Sequence, residues 1–456
     1  MLIRDAATIW TGMPATPRLD GASLRIEHGA IAAIGRLEPL PGEQVLDARG
    51  CVVAPGWVNT HHHFFQSLLK AVPAGLHVPL AQWSPAVAAP FRGRFDAETF
   101  RTAVQLALCE LVRGGCTTAA DHQFLAYPGI GFDAAAILFE EAERFGVRLV
   151  LCRGGMTVAP APGALPPWLR PESLDDFVRD VEALAARFHD PAPHARRRVA
   201  VAPTTLQRVR RDDLAPLAEA ARALGLRLHS HLNETAGDNA WCRARHGCSA
   251  VELCEATGWL GPDVWFAHVV HATGGEIELL ARTGTGVAHC PASNARLGSG
   301  IAPVAAMRQA GVRLSLAVDG AGSNESADML SELHFAWLLH QTQRPAFEAR
   351  GQAAPTVADA IGWASAGGAD VLGLDTGRLE PGAPADLGVY ALDDLAHLGA
   401  HDPASALVAS AGRPTLRLLL CGGEPIVADG VPRGIDTDRL RARVAAAVRR
   451  IMPNIA

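Results

Sequence analysis

The chain has 456 residues, of which 49 % are hydrophobic and 19 % charged, and a net charge of −6. This length holds one large domain and a smaller one. The charge excludes the basic surface that nucleic acid or an anionic membrane requires, and no apolar run is long enough to span a bilayer. The nine cysteines are scattered without a CxxC pair, the pattern of reduced thiols in a cytoplasmic protein. The opening MLIRDAATIW lacks the apolar stretch of a secretory leader.

In chain order, LIRDAATI (2–9) and ASLRIEHGAIAAIG (22–35) predict short strands, the second turning at Gly29, and VLDARGCVV predicts another. Next comes VVAPGWVNTHHHFFQ (52–66). Side chains alternate along a strand, so His61 and His63 share one face and His62 points away. Two imidazoles on one face at a strand's end make half of a metal site.

Further strand signals follow at TTAAD (117–121), GVRLVLC (146–152), RRVAVAP (197–203), LRLHSH (226–231), VWFAHVV (264–270), GTGVAHC (284–290) and LSLAVDG (314–320). Amphipathic stretches separate them, among them AETFRTAVQLALCELVRGG and FDAAAILFEEAERFG. Eight strands alternating with helices predict an α/β fold of the (β/α)8 TIM-like barrel type over residues 57–375. An open doubly wound sheet is the alternative, weakened by the lack of an early GxGxxG. ADLGVYAL (385–392), TLRLLLCGG (415–423) and EPIVADG (424–430) again predict strands. Residues 1–56 and 376–440 together therefore predict a small β-sandwich domain formed from both chain termini, followed by a C-terminal helix over 441–456.

Barrel chemistry resides at the C-terminal ends of strands. Strand one ends at His61 and His63, strand five at His231, strand six at His268, strand seven near His289 and strand eight at Asp319. His61, His63, His231 and Asp319 supply three imidazoles and a carboxylate, a set suited to one divalent metal ion, Zn²⁺ or Fe²⁺. His229 shares a face with His231. His231 is preferred because it is nearer the mouth and has Glu234 three residues on; His229 then reads as a hydrogen-bonded interior residue. Asp319 has a helix N-cap as its other reading. Zinc brings the pKa of bound water to about 7. Glu234, in a closed apolar pocket, would carry a raised pKa and protonate an aromatic ring under attack. His268 would orient the water and shuttle its proton, with Asp319 beside it.

These residues resemble the amidohydrolase superfamily and, within it, the purine, pterin and triazine aminohydrolases. The resemblance is carried by APGWVNTHHH, SHLNE, FAHVVH, GVAHCPASNARLGSGIAPV, LAVDGAGSNESADM and LEPGAPADLGVY. It implies the barrel with a flanking sandwich, a mononuclear zinc or iron centre, and hydrolytic release of ammonia. By the matching motifs it implies His61, His63, His231 and Asp319 as ligands, with Glu234 and His268 as proton shuttles. NTHHHFFQSLLK, ADHQFLAYPG and LCRGGMT look like the members that act on isoxanthopterin; 8-oxoguanine deaminases are similar but more distant. Guanine or 8-oxoguanine deamination and s-triazine hydrolysis remain as alternatives on the same centre. Binuclear members use a carboxylated lysine on strand four, and RRVAVAP has none; the chain's one lysine is Lys70. The HxE…PCxxC signature of cytidine-type deaminases is absent too.

Gln66, Trp83, His122, Tyr127, Arg153 and Gln207 follow strands one to four and are expected at the mouth, where a flat heterocycle needs stacking and directed hydrogen bonds. Arg153 suits an exocyclic carbonyl through paired donors, and Gln66 a ring amide. His289 is expected either to meet the substrate or to brace its loop. The expected partners are a small heterocyclic substrate and further copies of the chain, with neither nucleic acid nor membrane.

Overall fold

The computed structural model describes residues 1–125, 130–159, 170–410 and 412–452. Eight strands, Trp57–Asn59, Cys116–Gln123, Arg148–Arg153, Arg197–Val201, Arg227–Leu232, Val264–His268, Gly286–His289 and Arg313–Leu316, pair in chain order. Every one of these pairings is parallel. Parallel neighbours need long crossovers, which helices such as Ala97–Arg113 and Ala134–Phe145 supply. Asp96 and Thr99 close a capping box on the first of these, and Gly146 ends the second with φ +71°. The exit of the eighth strand returns to the first: Thr60 N–H donates to the Leu316 carbonyl at 3.4 Å and Asp319 N–H to that of His61 at 3.1 Å. The predicted (β/α)8 barrel is thus nearly closed.

Alternation along the strands divides the side chains. Val58, Ala120, Val150, Cys152, Ala200, Trp265, Ala267, Ala288 and Ala317 form the core inside the ring. Leu149, Val199, Leu228, Phe266, Val287 and Leu316 belong to the core shared with the helices. The interior is built mostly of small residues, because eight strands leave little space within them. The histidines occupy its upper layer.

Both chain ends form one mixed sheet in which Cys51–Pro55 joins Leu2–Trp10 on one side to Leu387–Ala391 on the other. Ile3, Leu24, Val53, Leu387 and Leu420 give it a core of its own. The hairpin predicted at Gly29 joins Arg18–Glu27 to Ala30–Gly35, with His28 and Gly29 both at positive φ. The last helix begins at Thr437 and ends at Ile451. Cys51–Pro55 passes into the first barrel strand through Gly56, where a Cβ would collide with the Thr117 side chain.

A buried ion pair ties sheet to barrel. Arg148, at the start of the third barrel strand, donates Nε to Asp386 Oδ2 at 2.9 Å and Nη2 to Oδ1 at 3.1 Å. The side chains are 4 % and 2 % exposed. Removing one partner leaves the other charge buried away from water. Arg148→Ala is therefore expected to cost about 3–5 kcal/mol in urea unfolding. The double replacement Arg148→Met with Asp386→Leu, which removes both charges and keeps apolar volume, should recover most of that loss.

Candidate metal centre

The C-terminal rim brings together groups distant in sequence. His61 and His63 follow the first strand, His231 lies on the fifth, His268 ends the sixth and Asp319 follows the eighth. Asp319 Oδ1 lies 3.3 Å from Nε2 of both His61 and His63. Nε2 of His63 lies 3.2 Å from Nε2 of His231. Two overlapping sets have donor atoms all within 4.8 Å of one another: His61, His63, His122 and His231, and His61, His231, His268 and Asp319.

The other nitrogen of each ring decides its tautomer. His63 Nδ1 faces the His122 carbonyl at 2.8 Å, and His231 Nδ1 the Thr204 carbonyl at 2.5 Å. A carbonyl only accepts, so each Nδ1 carries the hydrogen and each Nε2 a lone pair. His61 reaches the same state through a third ring. His229 Nδ1 donates to the Trp265 carbonyl at 3.0 Å, so its Nε2 accepts from His61 Nδ1 at 2.8 Å. His229 also stacks on the Trp265 indole with centroids 4.4 Å apart. This matches its reading as a hydrogen-bonded interior residue.

Burial holds His61 and His229 well below the ordinary histidine pKa and His231 at about 3, so all three rings are neutral near pH 7. The Nε2 lone pairs of His61, His63 and His231 and an Asp319 oxygen converge in a buried space. Among the described residues His61 Nε2 has no hydrogen-bond partner. Lone pairs 3.2 Å apart repel unless a cation lies between them, and three imidazoles with one carboxylate suit Zn²⁺ or Fe²⁺. These residues fit a single divalent ion.

Next to this cluster, Glu234 Oε2 lies 3.6 Å from His268 Nε2. Burial raises the Glu234 pKa to about 7, against the opposing pull of His268. His268 Nδ1 lies 2.8 Å from Asn294 Oδ1. His268, Val269 and Asp319 have φ of +76°, +47° and +61°, and Asn233 +48°. Left-handed backbone at four non-glycine residues in one place is strain of the kind held at functional sites.

The expected mouth residues divide. The Gln66 amide lies against Gly320, where a Cβ would collide with its Oε1, and that oxygen is buried without a partner among the described residues. His122 belongs to one of the two donor sets: its Nε2 donates to the Ala202 carbonyl at 2.8 Å and its centroid is 4.8 Å from that of His231. Trp83 donates its indole N–H to the Gly322 carbonyl at 3.0 Å. Gln207 donates to Asp238 at 3.0 Å. Tyr127 lies outside the described residues.

Two expectations are corrected. The Arg153 guanidinium does not offer paired donors to a ligand. Nε donates to Asp180 at 2.8 Å, Nη1 and Nη2 to Glu172 at 2.6 and 2.8 Å, and the group stacks on Phe177 at 4.2 Å. Of the two roles expected for His289, meeting the substrate is the one overturned; its contact is that of a brace. His289 shares the helix-facing side of Val287 while Ala288 and Cys290 line the interior, and its Nε2 lies 3.1 Å from that of His340 on the helix Met329–Gln341.

The sequence pattern of the Amidohydrolase family matches residues 52–426. The chain belongs to the amidohydrolase family. It is 48 % identical to an isoxanthopterin deaminase of an unknown prokaryotic organism, over 100 % of this chain and 98 % of the relative. It is 38 % identical to an 8-oxoguanine deaminase of Pseudomonas aeruginosa, over 94 % and 95 %. The crystal structure of atrazine chlorohydrolase from Arthrobacter aurescens TC1, complexed with zinc, superposes with a TM-score of 0.91 at 28 % identity, over 98 % of this chain and 99 % of that one. Among the described residues no helix is long and apolar enough to cross a membrane.

In this amidohydrolase the His229 ring stands between His61 and its terminal acceptor. His229→Leu removes that acceptor and frees His61 to place its hydrogen on Nε2. Affinity for the divalent ion is expected to fall about 10–100-fold. Plasma emission spectrometry after dialysis against a graded chelator series measures it. A folded variant that keeps wild-type metal content would contradict the relay.

Proposed function

We propose that this amidohydrolase is a metal-dependent aminohydrolase that exchanges an amino group on an oxidised pterin or purine for an oxo group, releasing ammonia, with isoxanthopterin as preferred substrate. The observation that carries the reading is Glu234 facing His268 beside the converging imidazoles and Asp319. Identity to the isoxanthopterin deaminase over the whole chain supports the choice of substrate.

His61, His63, His231 and Asp319 would hold the ion, for which zinc is proposed and iron is the alternative. When bound, it supplies the Lewis acidity that makes water acidic near neutral pH. The remaining work falls to side chains. Replacing amino by oxo needs a proton on the ring nitrogen next to the amino-bearing carbon, because that nitrogen takes up the electron pair as water adds. Glu234, its pKa raised by burial to about 7, keeps a substantial protonated fraction at neutral pH and can supply that proton. His268 Nε2, facing Glu234, accepts a proton from the attacking water. Return of that proton to the amino nitrogen lets ammonia depart, while the proton left on the added oxygen passes to the Glu234 carboxylate, so the carbon keeps an oxo group and Glu234 regains its proton. One water is consumed per ammonia released. The unpartnered Gln66 Oε1 is proposed to accept a ring N–H, and Trp83, His122 and Gln207 to shape the walls around it.

Ammonia release over a panel of isoxanthopterin, other pterins, 8-oxoguanine, guanine and aminotriazines tests the reading. Isoxanthopterin is expected to give the highest kcat/KM. A preference for 8-oxoguanine would transfer the assignment to that substrate, and no turnover across the panel would remove the activity.

Glu234→Gln is expected to keep the metal and lower kcat about 100-fold or more, since general acid catalysis contributes on that scale. An unchanged rate would deprive Glu234 of its role. The pH dependence has a definite sign: the donor is protonated below about pH 7, so kcat/KM should fall about tenfold per unit above that value. A profile flat to about pH 9 would contradict a carboxylic acid donor.

A further inference from the structure

The turn after the seventh strand carries two neighbouring polar residues, Ser293 and Asn294, on the short helix Pro291–Arg296. Both are buried, 0 % and 1 % exposed. Each reaches a different group at the rim. Asn294 Oδ1 meets His268 Nδ1 at 2.8 Å, and Ser293 Oγ donates to Asp319 Oδ2 at 2.6 Å. Those two targets are also left-handed at φ +76° and +61°. Ser323 adds a second donor to Asp319 Oδ2 at 3.1 Å, and the Gly320 N–H meets Oδ1 at 2.7 Å. Beneath the turn, Glu332 is 2 % exposed. Its Oε1 accepts the Ala292 N–H at 3.0 Å and its Oε2 accepts Asn324 Nδ2 at 2.7 Å. A single buried carboxyl group therefore fastens both the segment before Ser293 and the segment after Ser323.

We propose that the Ser293–Asn294 turn, anchored by Glu332, is a positioning clamp in which Asn294 holds His268 in the Nδ1–H tautomer with Nε2 open toward Glu234, while Ser293 aims Asp319. The inference rests on the proposed proton path for what it does to turnover, but the tautomer itself does not depend on that path. With a hydrogen on Nε2 in place of the lone pair, His268 would have nothing to accept a proton with on its Glu234 side. Ordinary packing around the ring would hold its position but leave its hydrogen free to choose either nitrogen. With the amide oxygen of Asn294 turned to the ring at 2.8 Å, that hydrogen is placed on Nδ1. A residue acting in this way touches neither substrate nor ion, and its effect belongs in kcat rather than in binding.

The experiment uses the metal-loaded full chain with ¹⁵N-labelled histidine. Long-range ¹H–¹⁵N spectra read the His268 tautomer directly, and ammonia release gives kcat and KM on the same samples. The wild type is expected to show His268 as Nδ1–H. Asn294→Leu should give mixed tautomers, a kcat lower by about 100-fold and a KM within about twofold, with unchanged metal content. Asn294→Asp keeps an acceptor, and should restore the Nδ1–H tautomer and most of the rate. Glu332→Gln, which keeps an oxygen for the Ala292 N–H, should act in the same direction as Asn294→Leu but more weakly.

A wild-type Nε2–H tautomer overturns the proposal even if every variant fails to fold. Unaltered histidine spectra and kcat in Asn294→Leu overturn it as well, as does a loss of rate that Asn294→Asp fails to rescue. A wild type inactive on every heterocycle, with His268 still Nδ1–H, would instead dismiss the proposed activity and leave the tautomer assignment standing.

Discussion

The structure depends on a restriction placed on hydrogens. Three imidazoles at the barrel rim each have one nitrogen tied, directly or through a further ring, to a backbone carbonyl that has no hydrogen to give. Their remaining lone pairs must face one another across a buried space, beside a carboxylate oxygen. Such an arrangement is unfavourable unless a cation occupies it, and so the site's chemistry is written into its hydrogen-bond directions. The three acceptors come from three places: His122 on the second strand, Thr204 beyond the fourth and Trp265 on the sixth. No single segment could impose the restriction. It exists because a nearly closed ring brings successive strand ends within hydrogen-bonding distance of each other.

The ring in turn rests on small interior side chains and on attachment to the terminal sheet. Alanines at 120, 200, 267, 288 and 317 allow the strands to approach while one indole, Trp265, fills the interior and supplies the carbonyl that orients His229. The Trp265 N–H also donates to the Thr60 carbonyl at 3.1 Å, immediately before His61. One residue thus packs the interior, sets a tautomer and holds the first strand's exit. The rim stores strain in its left-handed residues. That strain persists because His268 and Asp319 are each held by side chains from the neighbouring strand's turn.

Alternation and its interruption explain how the rim is populated. His268 shares the parity of Val264 and Phe266, which face the helices, and would face them too if the strand continued. Its φ of +76° breaks the alternation and brings its ring over His231, with centroids 5.4 Å apart. His289 ends its strand without such a break and remains with Val287 on the helical side. Two histidines at equivalent strand ends therefore lead different lives. Arg153 departs from its expected role for another reason. Its carboxylate partners, Glu172 and Asp180, lie far along the chain, and nothing local to strand three announces them.

Local sequence by itself determined the alternating strands and helices, the strand ends that carry His61, His63, His231 and Asp319, and the absence of a bridging lysine. These follow from short-range periodicity and from the kinds of atoms a metal ion accepts. It also carried enough family-wide motif to place the chain among amidohydrolases. Tertiary structure alone decided which nitrogen of each ring is free, that His229 serves His61, that Arg153 is spent on Glu172 and Asp180, and that Ser293 and Asn294 reach two separate strand ends. Those outcomes depend on acceptors contributed by segments far away along the chain, and hydrogen-bond direction cannot be read from a chain before it has closed on itself.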